Sequence, residues 1–448
     1  MAVALVILAA GKGTRMKSDL PKVLHPIAHA PMLIHAIDAA KSLRPERTIV
    51  VAGHGAAQVE EAARAHDPKI EIVLQSEQLG TGHAVDQARA ALQDFDGDVI
   101  VLYGDTPFIS PRTLQNIQAA RKTADIVVLG FESRDPARYG RLIVDSSDKL
   151  EKIVEYKDAS EAERAITLCN SGVVAADRAT LFDLLSEVDN TNASGEYYLT
   201  DVPALGRAKG LISKVVRCAE AETLGVNSRV ELAQAEALYQ HAARQALMES
   251  GVTMIDPASV YLAYDTQIGP DTLLEPNIVF GPKVHVDAGV TIRAFSHLEN
   301  CRVASGVTMG PYARLRPGAD IRQNAHIGNF VEIKKSTIHE GAKVNHLTYI
   351  GDATVGARAN IGAGTVTCNY DGVMKHHTEI GEGAFIGSST MLVAPVRVGA
   401  EAMTGSGSVI TQDVDDGDLA IGRAKQVNKK GLARRLRDML IKQKSLKG

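Results

Sequence analysis

Residues 268–298 read IGPDTL LEPNIV FGPKVH VDAGVT IRAFSH L, so that an aliphatic or aromatic residue opens each group of six. The period continues to Val398, with three single-residue slips and one longer break at residues 367–378. A period of six is the hexapeptide repeat of a left-handed parallel β-helix, in which three groups close one coil of about 18 residues. We therefore predict about nine or ten coils over residues 251–423 and a loop that leaves the coil at the break. Chance spacing in a globular all-β domain does not account for so many matches.

The residues before this repeat follow a different pattern. Residues 1–227 alternate short apolar runs with longer amphipathic stretches, and the runs are residues 3–10, 48–51, 70–74, 99–102 and 126–129. Apolar strands that alternate with helices are typical of a Rossmann-like α/β domain whose mostly parallel sheet is covered on both faces. Ligands of such domains bind beyond the carboxyl ends of the strands, which directs attention to the residues after Ala10 and Leu102.

Two further segments complete the predicted organisation. Residues 228–250 are expected to form one connecting helix, because Ser228 and Glu231 have the spacing of a capping box and Gly251 suits a helix end. Residues 424–448 form a basic tail. We interpret the tail as a solvated end of the chain, and the alternative is a cationic flap near phosphates.

The composition excludes several classes of protein. The 448 residues carry a net charge of −4, include no Trp and are only 4% aromatic, whereas nucleic-acid-binding proteins show a basic excess and stacking platforms. The four Cys residues form no CxxC pair, so that neither a disulfide framework nor a zinc ribbon is expected. No apolar run reaches the roughly 18 residues that a membrane span needs. We expect a cytoplasmic protein without nucleic-acid or membrane partners.

A glycine-rich loop follows the first predicted strand. Residues 8–16 read LAAGKGTRM, in which Gly11 and Gly13 let backbone N–H groups approach a phosphate and Arg15 adds a bidentate donor. A dinucleotide-binding fingerprint needs Gly or Ala where Met16 stands, and a Walker A motif needs Ser or Thr where Gly13 stands. The loop is therefore expected to be a phosphate cradle of another kind.

This loop and several later segments carry a family resemblance. The pattern L-x-x-G-x-G-T-R-M followed by Pro21-Lys22 resembles the signature of sugar-1-phosphate nucleotidylyltransferases, and residues 75–84, 103–105, 139–141 and 225–227 resemble their uridylyl branch. With the hexapeptide repeat, nearly the whole chain resembles the family of bacterial bifunctional N-acetylglucosamine-1-phosphate uridylyltransferases and glucosamine-1-phosphate acetyltransferases. The resemblance implies that UTP and UDP-N-acetylglucosamine bind at Leu8, Gly11, Gly13, Lys22, Gln75, Gly80, Thr81, Tyr103, Gly140, Glu155, Asn170 and Asn227.

The chemistry of this first site needs cations and not a protein nucleophile. When a sugar phosphate attacks the α-phosphate of a nucleoside triphosphate, catalysis requires alignment and neutralisation of the growing negative charge. Lys22 and Arg15 are suitable cations, and Asp105 at a strand end can hold Mg²⁺ through a carboxylate oxygen. The resemblance adds Asn227 as a second metal ligand. Taken without the glycine-rich loop, Asp105 and Asn227 both read as turn residues.

A second candidate site must interrupt the repeat, because a β-helix is a scaffold without chemistry of its own. His346 stands where a turn prefers small residues, and residues 368–372 form another interruption. Acetyl transfer to an amine needs a base, and a histidine side chain suits that role near neutral pH. From the residues alone, a histidine on a solvated turn remains the alternative.

The resemblance extends to this half of the chain. Residues 313–318 and 329–335 resemble the sugar-phosphate-binding turns of the acetyltransferase branch. The resemblance implies His346 as the catalytic base and a homotrimer whose sites are shared between neighbouring chains. It implies that the acetyl acceptor binds at Arg316, Lys334, Tyr349 and Asn360, and acetyl-CoA at Asn369, Tyr370, Ser388, Ser406 and Arg423.

We therefore expect a bifunctional enzyme of cell-envelope precursor synthesis. Its second half would acetylate glucosamine 1-phosphate with acetyl-CoA, and its first half would transfer UMP from UTP to N-acetylglucosamine 1-phosphate with release of pyrophosphate. One alternative is a non-catalytic nucleotidylyltransferase-like subunit, as in translation-initiation exchange factors. Another is a single-function sugar-nucleotide pyrophosphorylase. The intact glycine-rich loop argues against the first, and His346 with its neighbours argues against the second.

Overall fold

A computed structural model of the chain describes residues 2–446 and divides into two compact units, Met1–Ala243 and Arg244–Gly448. The division falls inside the predicted connecting helix. The functional boundaries expected at residues 227, 250 and 423 remain predictions. Lys447 and Gly448, the end of the basic tail, lie outside the described residues.

The first unit contains strands and helices in alternation. Its strands are β1 (Val3–Ala9), β2 (Pro26–Ile27), β3 (Ala30–Pro31), β4 (Arg47–Ala52), β5 (Glu71–Leu74), β6 (Asp98–Tyr103), β7 (Ile126–Glu132), β8 (Arg141–Val144), β9 (Leu150–Val154), β10 (Leu168–Asp177) and β11 (Ser213–Cys218). Its helices are α1 (Met32–Ala40), α2 (Ala56–His66), α3 (Thr81–Asp86), α4 (Pro111–Ala120), α5 (Glu161–Arg164), α6 (Arg178–Leu185) and α7 (Val202–Ala208). This order confirms the predicted α/β class.

The main sheet has the strand order β11-β7-β10-β6-β1-β4-β5. Strands β4, β1 and β6 pair in parallel, as do β7 and β11, but β10 runs antiparallel to both β6 and β7. The antiparallel hairpin of β8 and β9 joins the edge of β10. The expectation of a mostly parallel sheet is therefore confirmed, with β10 as the reversed strand.

Alternate residues of the strands pack into two separate cores. In β1, Val3, Leu5 and Ile7 belong to one buried cluster, whereas Val6 and Leu8 belong to the other. Each cluster includes helical residues, which shows that helices cover both faces of the sheet. The carboxyl ends of the parallel strands are thereby left as the open edge where a site can form.

The predicted connecting helix is α8 (Arg229–Glu249). The Ser228 hydroxyl accepts the N–H of Glu231 at 3.3 Å, as a capping box requires. The Glu231 carboxylate, however, accepts the N–H of Asn227 at 2.6 Å. The helix start therefore fixes the backbone of Asn227, which carries one of the predicted metal-binding side chains.

The second unit consists of short strands separated by turns. They are β12 (Thr253–Met254), β13 (Val260–Tyr261), β14 (Gln267–Ile268), β15 (Leu273–Leu274), β16 (Ile278–Phe280), β17 (Val284–Val286), β18 (Thr291–Ile292), β19 (His297–Leu298), β20 (Cys301–Val303), β21 (Thr308–Met309), β22 (Arg314–Leu315), β23 (Ala319–Ile321), β24 (His326–Asn329), β25 (Glu332–Lys334), β26 (Ser336–Ile338), β27 (Lys343–His346), β28 (Tyr349–Gly351), β29 (Ala353–Val355), β30 (Asn360–Ile361), β31 (Val366–Cys368), β32 (Thr378–Ile380), β33 (Phe385–Ile386), β34 (Met391–Val393), β35 (Val396–Val398), β36 (Met403–Thr404), β37 (Val409–Ile410) and β38 (Leu419–Ala420).

Every third strand stacks in parallel, which gives three stacks of ten, nine and eight strands. Leu274 lies opposite Ile292, 18 positions later, with both side chains buried in the core. Val286 lies opposite Val303, only 17 positions later, so that a single-residue slip shortens one coil without disturbing the stack. The predicted left-handed β-helix and its number of coils are confirmed.

The described part of the basic tail ends in a helix, α9 (Leu432–Ser445), which is exposed almost throughout. This exposure agrees with the interpretation of the tail as a solvated end. Within residues 2–446, the structure contains no helix whose length and hydropathy would suit a membrane span. The four Cys side chains are free thiols.

Candidate active sites

The loop after β1 turns sharply at Gly13 and brings the backbone against Lys22. Gly13 has a φ of 58°, and a Cβ placed on it would lie 2.7 Å from the Cβ of Lys22. Only glycine fits such a position without displacing its neighbour. Arg15 lies in the following 3₁₀ turn, exposed and without a hydrogen-bond or ion-pair partner among residues 2–446. Its guanidinium is therefore uncommitted.

Three predicted side chains from distant parts of the chain meet at the end of this loop. The ammonium group of Lys22 forms an ion pair with the Asp105 carboxylate and donates to Asn227 Oδ1 at 3.0 Å. The side chains of Lys22 and Asp105 are only 14% and 17% exposed, and this partial burial strengthens their attraction. The carboxylate and amide oxygens that the sequence predicted as metal ligands thus converge on one cationic position.

Strand register explains why these residues meet. Leu8 in β1 lies beside Tyr103 in β6, and the N–H of Gly104 donates to the Leu8 carbonyl at 3.0 Å. The segment before α8 returns to the same edge, where the N–H of Val226 donates to the Asp105 carbonyl at 3.0 Å. The glycine-rich loop, the end of β6 and the segment before α8 therefore meet at one edge of the sheet.

A cavity of ≈ 290 Å³ lies beside this centre, and eight of its lining residues were singled out by the sequence. The lining consists of Leu8, Ala9, Ala10, Gly11, Lys22, Val23, Gln75, Gln78, Gly80, Thr81, Ala84, Tyr103, Asp105 and Glu196. A second cavity of ≈ 570 Å³ shares Thr81 and Glu196 with the first and adds Glu155. The two cavities are therefore neighbours along the same edge.

The loop between β5 and α3 shapes one wall of the first cavity. Gln75 is buried, and its Nε2 donates to the Gly80 carbonyl at 3.1 Å. Gly80 has a φ of 118°, and a Cβ there would lie 2.5 Å from the Tyr197 carbonyl oxygen. The N–H of Tyr197 donates to the Leu79 carbonyl, and the N–H of Gly82 donates to the Tyr197 carbonyl, both at 2.8 Å. These bonds hold the loop against Tyr197, so that Thr81 begins α3 at the cavity wall.

Three further predicted residues gather near the second cavity. The N–H of Asn170 donates to the Gly140 carbonyl at 2.9 Å, and a Cβ on Gly140 would lie 3.6 Å from Glu155 Oε1. The Glu155 carboxylate accepts the hydroxyl of Thr200 at 3.3 Å. Burial raises the pKa of Glu155 above its usual value. A partly buried acceptor of this kind suits hydroxyl or amide donors of a ligand.

Sequence reasoning missed two residues of this site. Glu196 lines both cavities but lies in an irregular segment that carries no motif. Arg229 donates from Nε to the Met16 carbonyl at 3.3 Å and lies 3.2 Å from Nδ1 of buried His25. Arg229 thus ties the glycine-rich loop and the Lys22 turn to the start of α8. Only tertiary contacts identify it.

In the second unit, strand register places Asn329 beside His346. The two residues are partners in β24 and β27, and His346 Nδ1 lies 2.7 Å from Asn329 Oδ1. An amide oxygen only accepts hydrogen bonds, so that Nδ1 carries the proton and Nε2 of the neutral ring keeps its lone pair. His346 is exposed. The arrangement orients Nε2 as a base. Asn329, which the sequence analysis included only as part of the 329–335 stretch, is therefore a positioning residue for His346.

A cluster of cations lies on the next stack. Arg316 and Lys334 occupy equivalent positions of β22 and β25 and their following turns. An ion pair of 2.8 Å with Glu332 raises the pKa of Arg316. Contact with the ammonium group of Lys375 lowers the pKa of Lys334. Tyr349 lies opposite Glu332 in β28. Cations gathered in this way suit an anionic group of a ligand, and Lys375 is another residue that sequence reasoning missed.

The long break in the repeat is a β-hairpin, residues 369–376. Ala353 lies opposite Thr378, 25 positions later, where the preceding and following pairs of the same stack are 17 and 18 positions apart. Asn369 is buried and donates to Asp352 Oδ2 at 2.6 Å, and exposed Tyr370 pairs with Lys375 across the hairpin. The predicted loop is confirmed, although residues 367 and 368 still belong to β31 and residue 378 already belongs to β32.

Three of the predicted coenzyme residues, Ser388, Ser406 and Arg423, follow one another along the corner of the coils that begins at His346. The carbonyl of His346 accepts the N–H of Gly364 at 3.1 Å, and the carbonyl of Ser388 accepts the N–H of Gly407 at 2.8 Å. A Cβ on Gly407 would lie 4.0 Å from Arg423 Cδ. Ser388 and Ser406 are exposed at equivalent places of successive coils. Asn360 lies in β30, which pairs with the strand of His346.

Comparisons with known proteins agree with both halves. Residues 5–188 match the family model described as the MobA-like NTP transferase domain. A relative in Ruegeria sp. (strain TM1040), called bifunctional protein GlmU, is 64% identical over 447 residues, which cover 100% of this chain and 99% of the relative. Bifunctional protein GlmU of Ruegeria pomeroyi is 63% identical with the same coverage, and that of Jannaschia sp. (strain CCS1) is 61% identical over 98% of this chain and 96% of the relative. The chain therefore belongs to the GlmU family of bifunctional enzymes, in which a uridylyltransferase and a glucosamine-1-phosphate acetyltransferase share one polypeptide.

Proposed function

We propose that the chain makes UDP-N-acetylglucosamine in two steps at the two sites described above. The second unit acetylates glucosamine 1-phosphate with acetyl-CoA, and the first unit joins the product to UMP from UTP. The observation that carries the proposal is the meeting of Lys22, Asp105 and Asn227 beside a cavity, in a chain that matches bifunctional relatives over its full length. Both reactions belong to the cytoplasm, because UTP and acetyl-CoA are supplied there.

In the uridylyl step, a phosphate oxygen of N-acetylglucosamine 1-phosphate attacks the α-phosphorus of UTP, and the bond to pyrophosphate breaks. This reaction needs alignment and charge neutralisation. Lys22 and the uncommitted Arg15 supply positive charge, and the backbone of Gly11 and Gly13 lies next to the phosphates. Gln75 and the Gly80–Thr81 turn hold the nucleotide, with Leu8 and Tyr103 as the apolar walls. Gly140, Glu155 and Asn170 hold the acetylated sugar.

Asp105 and Asn227 would hold Mg²⁺, which supplies charge neutralisation at the phosphates when it is bound. The donor set fits this ion, because both oxygens already converge on a single cation, the ammonium group of Lys22. One carboxylate and one amide leave most of the coordination shell to water and phosphate oxygens, as is usual for Mg²⁺.

In the acetyl step, the amine of glucosamine 1-phosphate attacks the thioester carbonyl of acetyl-CoA, and the carbon–sulfur bond breaks. His346 Nε2 takes the proton that the amine loses and passes a proton to the departing sulfur, so that free CoA leaves as the thiol. Asn329 supports this role, since its contact with Nδ1 keeps the lone pair on Nε2.

The cation cluster suits the phosphate group of the acceptor. Arg316 and Lys334 clamp the phosphate, and Tyr349 and Asn360 contact the sugar. The corner formed by Ser388, Ser406 and Arg423 follows the coil away from His346 and suits an extended coenzyme. Asn369 and Tyr370 of the hairpin complete the coenzyme site.

We propose that the assembled protein is a homotrimer, with the acetyltransferase site shared between chains. An exposed apolar ladder supports this. The ring of Tyr312 stacks between those of Phe295 and Phe330, with centroid distances of 4.9 and 5.0 Å. Exposed Leu347 lies at the same corner of the β-helix, one coil after Phe330. Exposed aromatic surface of this kind is typical of protein interfaces. The ladder ends next to Asn329 and His346, so that a neighbouring chain on it would reach the catalytic base.

Two single-site variants test the proposal. Lys22→Ala is expected to reduce uridylyl transfer by about 10²–10³-fold and to leave acetyl transfer intact, because one transition-state charge partner is lost. His346→Ala is expected to reduce acetyl transfer by about 10²–10⁴-fold and to leave uridylyl transfer intact.

A mixture of the two variants should restore synthesis of UDP-N-acetylglucosamine from glucosamine 1-phosphate, since the released intermediate can pass between proteins. Equal loss of both activities in either variant would contradict two independent sites. A mixture that remains inactive would contradict the proposed order of the steps.

A further inference from the structure

We propose that Asp371 and His376 are positioning residues for the acetyl-acceptor site: they brace the hairpin 369–376 so that Lys375 stays against Lys334 and completes a site for the phosphate of the sugar. This inference rests on the proposed acetyltransferase function. It assigns a role to two residues that are not among the predicted catalytic or ligand-binding residues.

The brace consists of Asp371 and His376, and the hydrogen bonds of the Asp371 carboxylate form it. Its Oδ2 lies 2.6 Å from Nε2 of His376, on the opposite strand of the hairpin. Its Oδ1 accepts the N–H groups of Val373 and Met374 at 2.8 and 2.7 Å. One carboxylate therefore closes the turn and ties it to the residue that follows Lys375. These contacts hold the pKa of Asp371 well below its usual range, with the His376 contact as the largest cause.

The base of the hairpin is anchored separately. Asn369 donates to Asp352 at 2.6 Å, and His377 Nε2 lies 3.1 Å from the Thr354 hydroxyl. These contacts fix both ends of the inserted segment to the coil. They do not involve Lys375, whose position depends on the strand pairing with Tyr370 and on the brace.

Lys375 needs a brace because it stands against a like charge. The hairpin stands beside Lys334, because Asn369 at its base donates to Asp352, whose N–H donates to the Lys334 carbonyl at 3.1 Å. The neighbouring ammonium group of Lys375 lowers the pKa of Lys334. Arg316 adds further repulsion, and Asp352 offers a partial compensation. An unbraced hairpin would relax by moving Lys375 away. A phosphate bound between the two lysines reverses the balance, since each ammonium group then gains a partner.

The brace therefore forms the anion site before the substrate arrives. Pre-organisation of this kind lowers the cost of ordering the site on binding and appears as tighter binding of the substrate. It does not alter the chemistry at His346, which lies on a different strand and is held by Asn329. The expected signature is a change in KM with little change in kcat.

The test uses the full-length protein and follows acetyl transfer to glucosamine 1-phosphate. His376→Ala and Asp371→Asn are each expected to raise KM for this substrate by about tenfold, the scale of one displaced charge-assisted contact, while kcat changes by less than about twofold. His376→Gln keeps a side-chain donor and should restore KM to within about threefold of the wild type. Val373→Ala, at the hairpin tip where Val373 is 87% exposed, is the matched control and should leave KM unchanged.

A double-mutant cycle separates positioning from a general loss of structure. In a Lys375→Ala background, His376→Ala should no longer raise KM, because there is no ammonium group left to position. An additive rise in KM in that background, or an unchanged KM in the single variants, would overturn the proposal. Uridylyl transfer and the unfolding temperature report whether each variant is folded.

The same series distinguishes this inference from the proposed function. If Lys334→Ala and Lys375→Ala both leave KM unchanged, the assignment of the phosphate site is wrong, and the positioning role of Asp371 and His376 is refuted as well. If those two variants raise KM but His376→Ala and Asp371→Asn do not, the phosphate site stands and only the brace is refuted.

Discussion

Gly13→Ala tests whether the position of Lys22 sets the rate of uridylyl transfer. The new Cβ would lie 2.7 Å from Lys22 Cβ, whereas non-bonded carbon atoms rest about 3.5–4.0 Å apart. Lys22 must therefore move by about 1 Å, and a misplacement of about 1 Å at a reacting centre costs on the order of 10² in rate. We expect kcat/KM for uridylyl transfer to fall by about 10²-fold.

A matched variant separates displacement from backbone strain. Alanine at Gly13 also adopts a left-handed φ of 58°, which costs roughly 1–2 kcal/mol. Gly210 has a φ of 79°, and no heavy atom lies within 4 Å of a Cβ placed on it. Gly210→Ala therefore carries similar strain in the same unit without touching Lys22, and it should keep most of the uridylyl activity.

The assay measures pyrophosphate release from UTP and N-acetylglucosamine 1-phosphate, with acetyl transfer by the same preparations as an internal control. Both variants should lose a similar amount of stability, and both should retain acetyl transfer. If Gly13→Ala falls by no more than about threefold relative to Gly210→Ala, the position of Lys22 does not control the rate, and the reasoning is refuted.

Three further predictions concern other groups. Asn329→Ala should reduce kcat of acetyl transfer by about 10–100-fold, because nothing then fixes the proton of His346 on Nδ1; an unchanged kcat would remove Asn329 from that role. Burial raises the pKa of Glu155, so its ionised form destabilises the fold above that pKa. Glu155→Gln should therefore raise the unfolding temperature at pH 8, and the gain should shrink toward pH 5; a lower unfolding temperature at pH 8 would contradict this sign. Burial raises the pKa of the Cys218 and Cys301 thiols to about 12. At pH 8 only about 10⁻⁴ of each is thiolate, so a thiol reagent should label the native protein far more slowly than the unfolded chain, and equally fast labelling would argue against their burial.

The periodicity of apolar residues was sufficient to predict most of the fold. The six-residue repeat fixed which side chains are buried, as Leu274 and Ile292 show, and each slip in the repeat appears as a shortened coil. The break in the repeat correctly marked an inserted segment. In the first unit, apolar runs and the rule on strand ends led to Lys22 and Asp105, which the structure brings together.

The direction of β10 was not predictable from its residues. A strand buried on both faces is an apolar run in either direction, and its pairing partners lie far away in sequence. The strand order from β11 to β5 is therefore parallel except at β10, which lies between β6 and β7.

Residues that act through tertiary contacts were likewise missed. Arg229 follows a predicted ligand by two positions, but its contacts with Met16 and His25 cross the fold. Lys375 is one cation in the inserted hairpin, and only its electrostatic interaction with Lys334 distinguishes it from a solvated lysine. No local pattern encodes such approaches.

The most direct test of the central claim is one incubation of the pure protein with glucosamine 1-phosphate, acetyl-CoA, UTP and Mg²⁺, followed by mass spectrometry of the products. The account predicts UDP-N-acetylglucosamine, pyrophosphate and free CoA, and it predicts that the sugar nucleotide disappears when acetyl-CoA is omitted. Accumulation of N-acetylglucosamine 1-phosphate without the sugar nucleotide would contradict the assignment of the first site. Formation of UDP-glucosamine at the same rate without acetyl-CoA would contradict the order of the two steps.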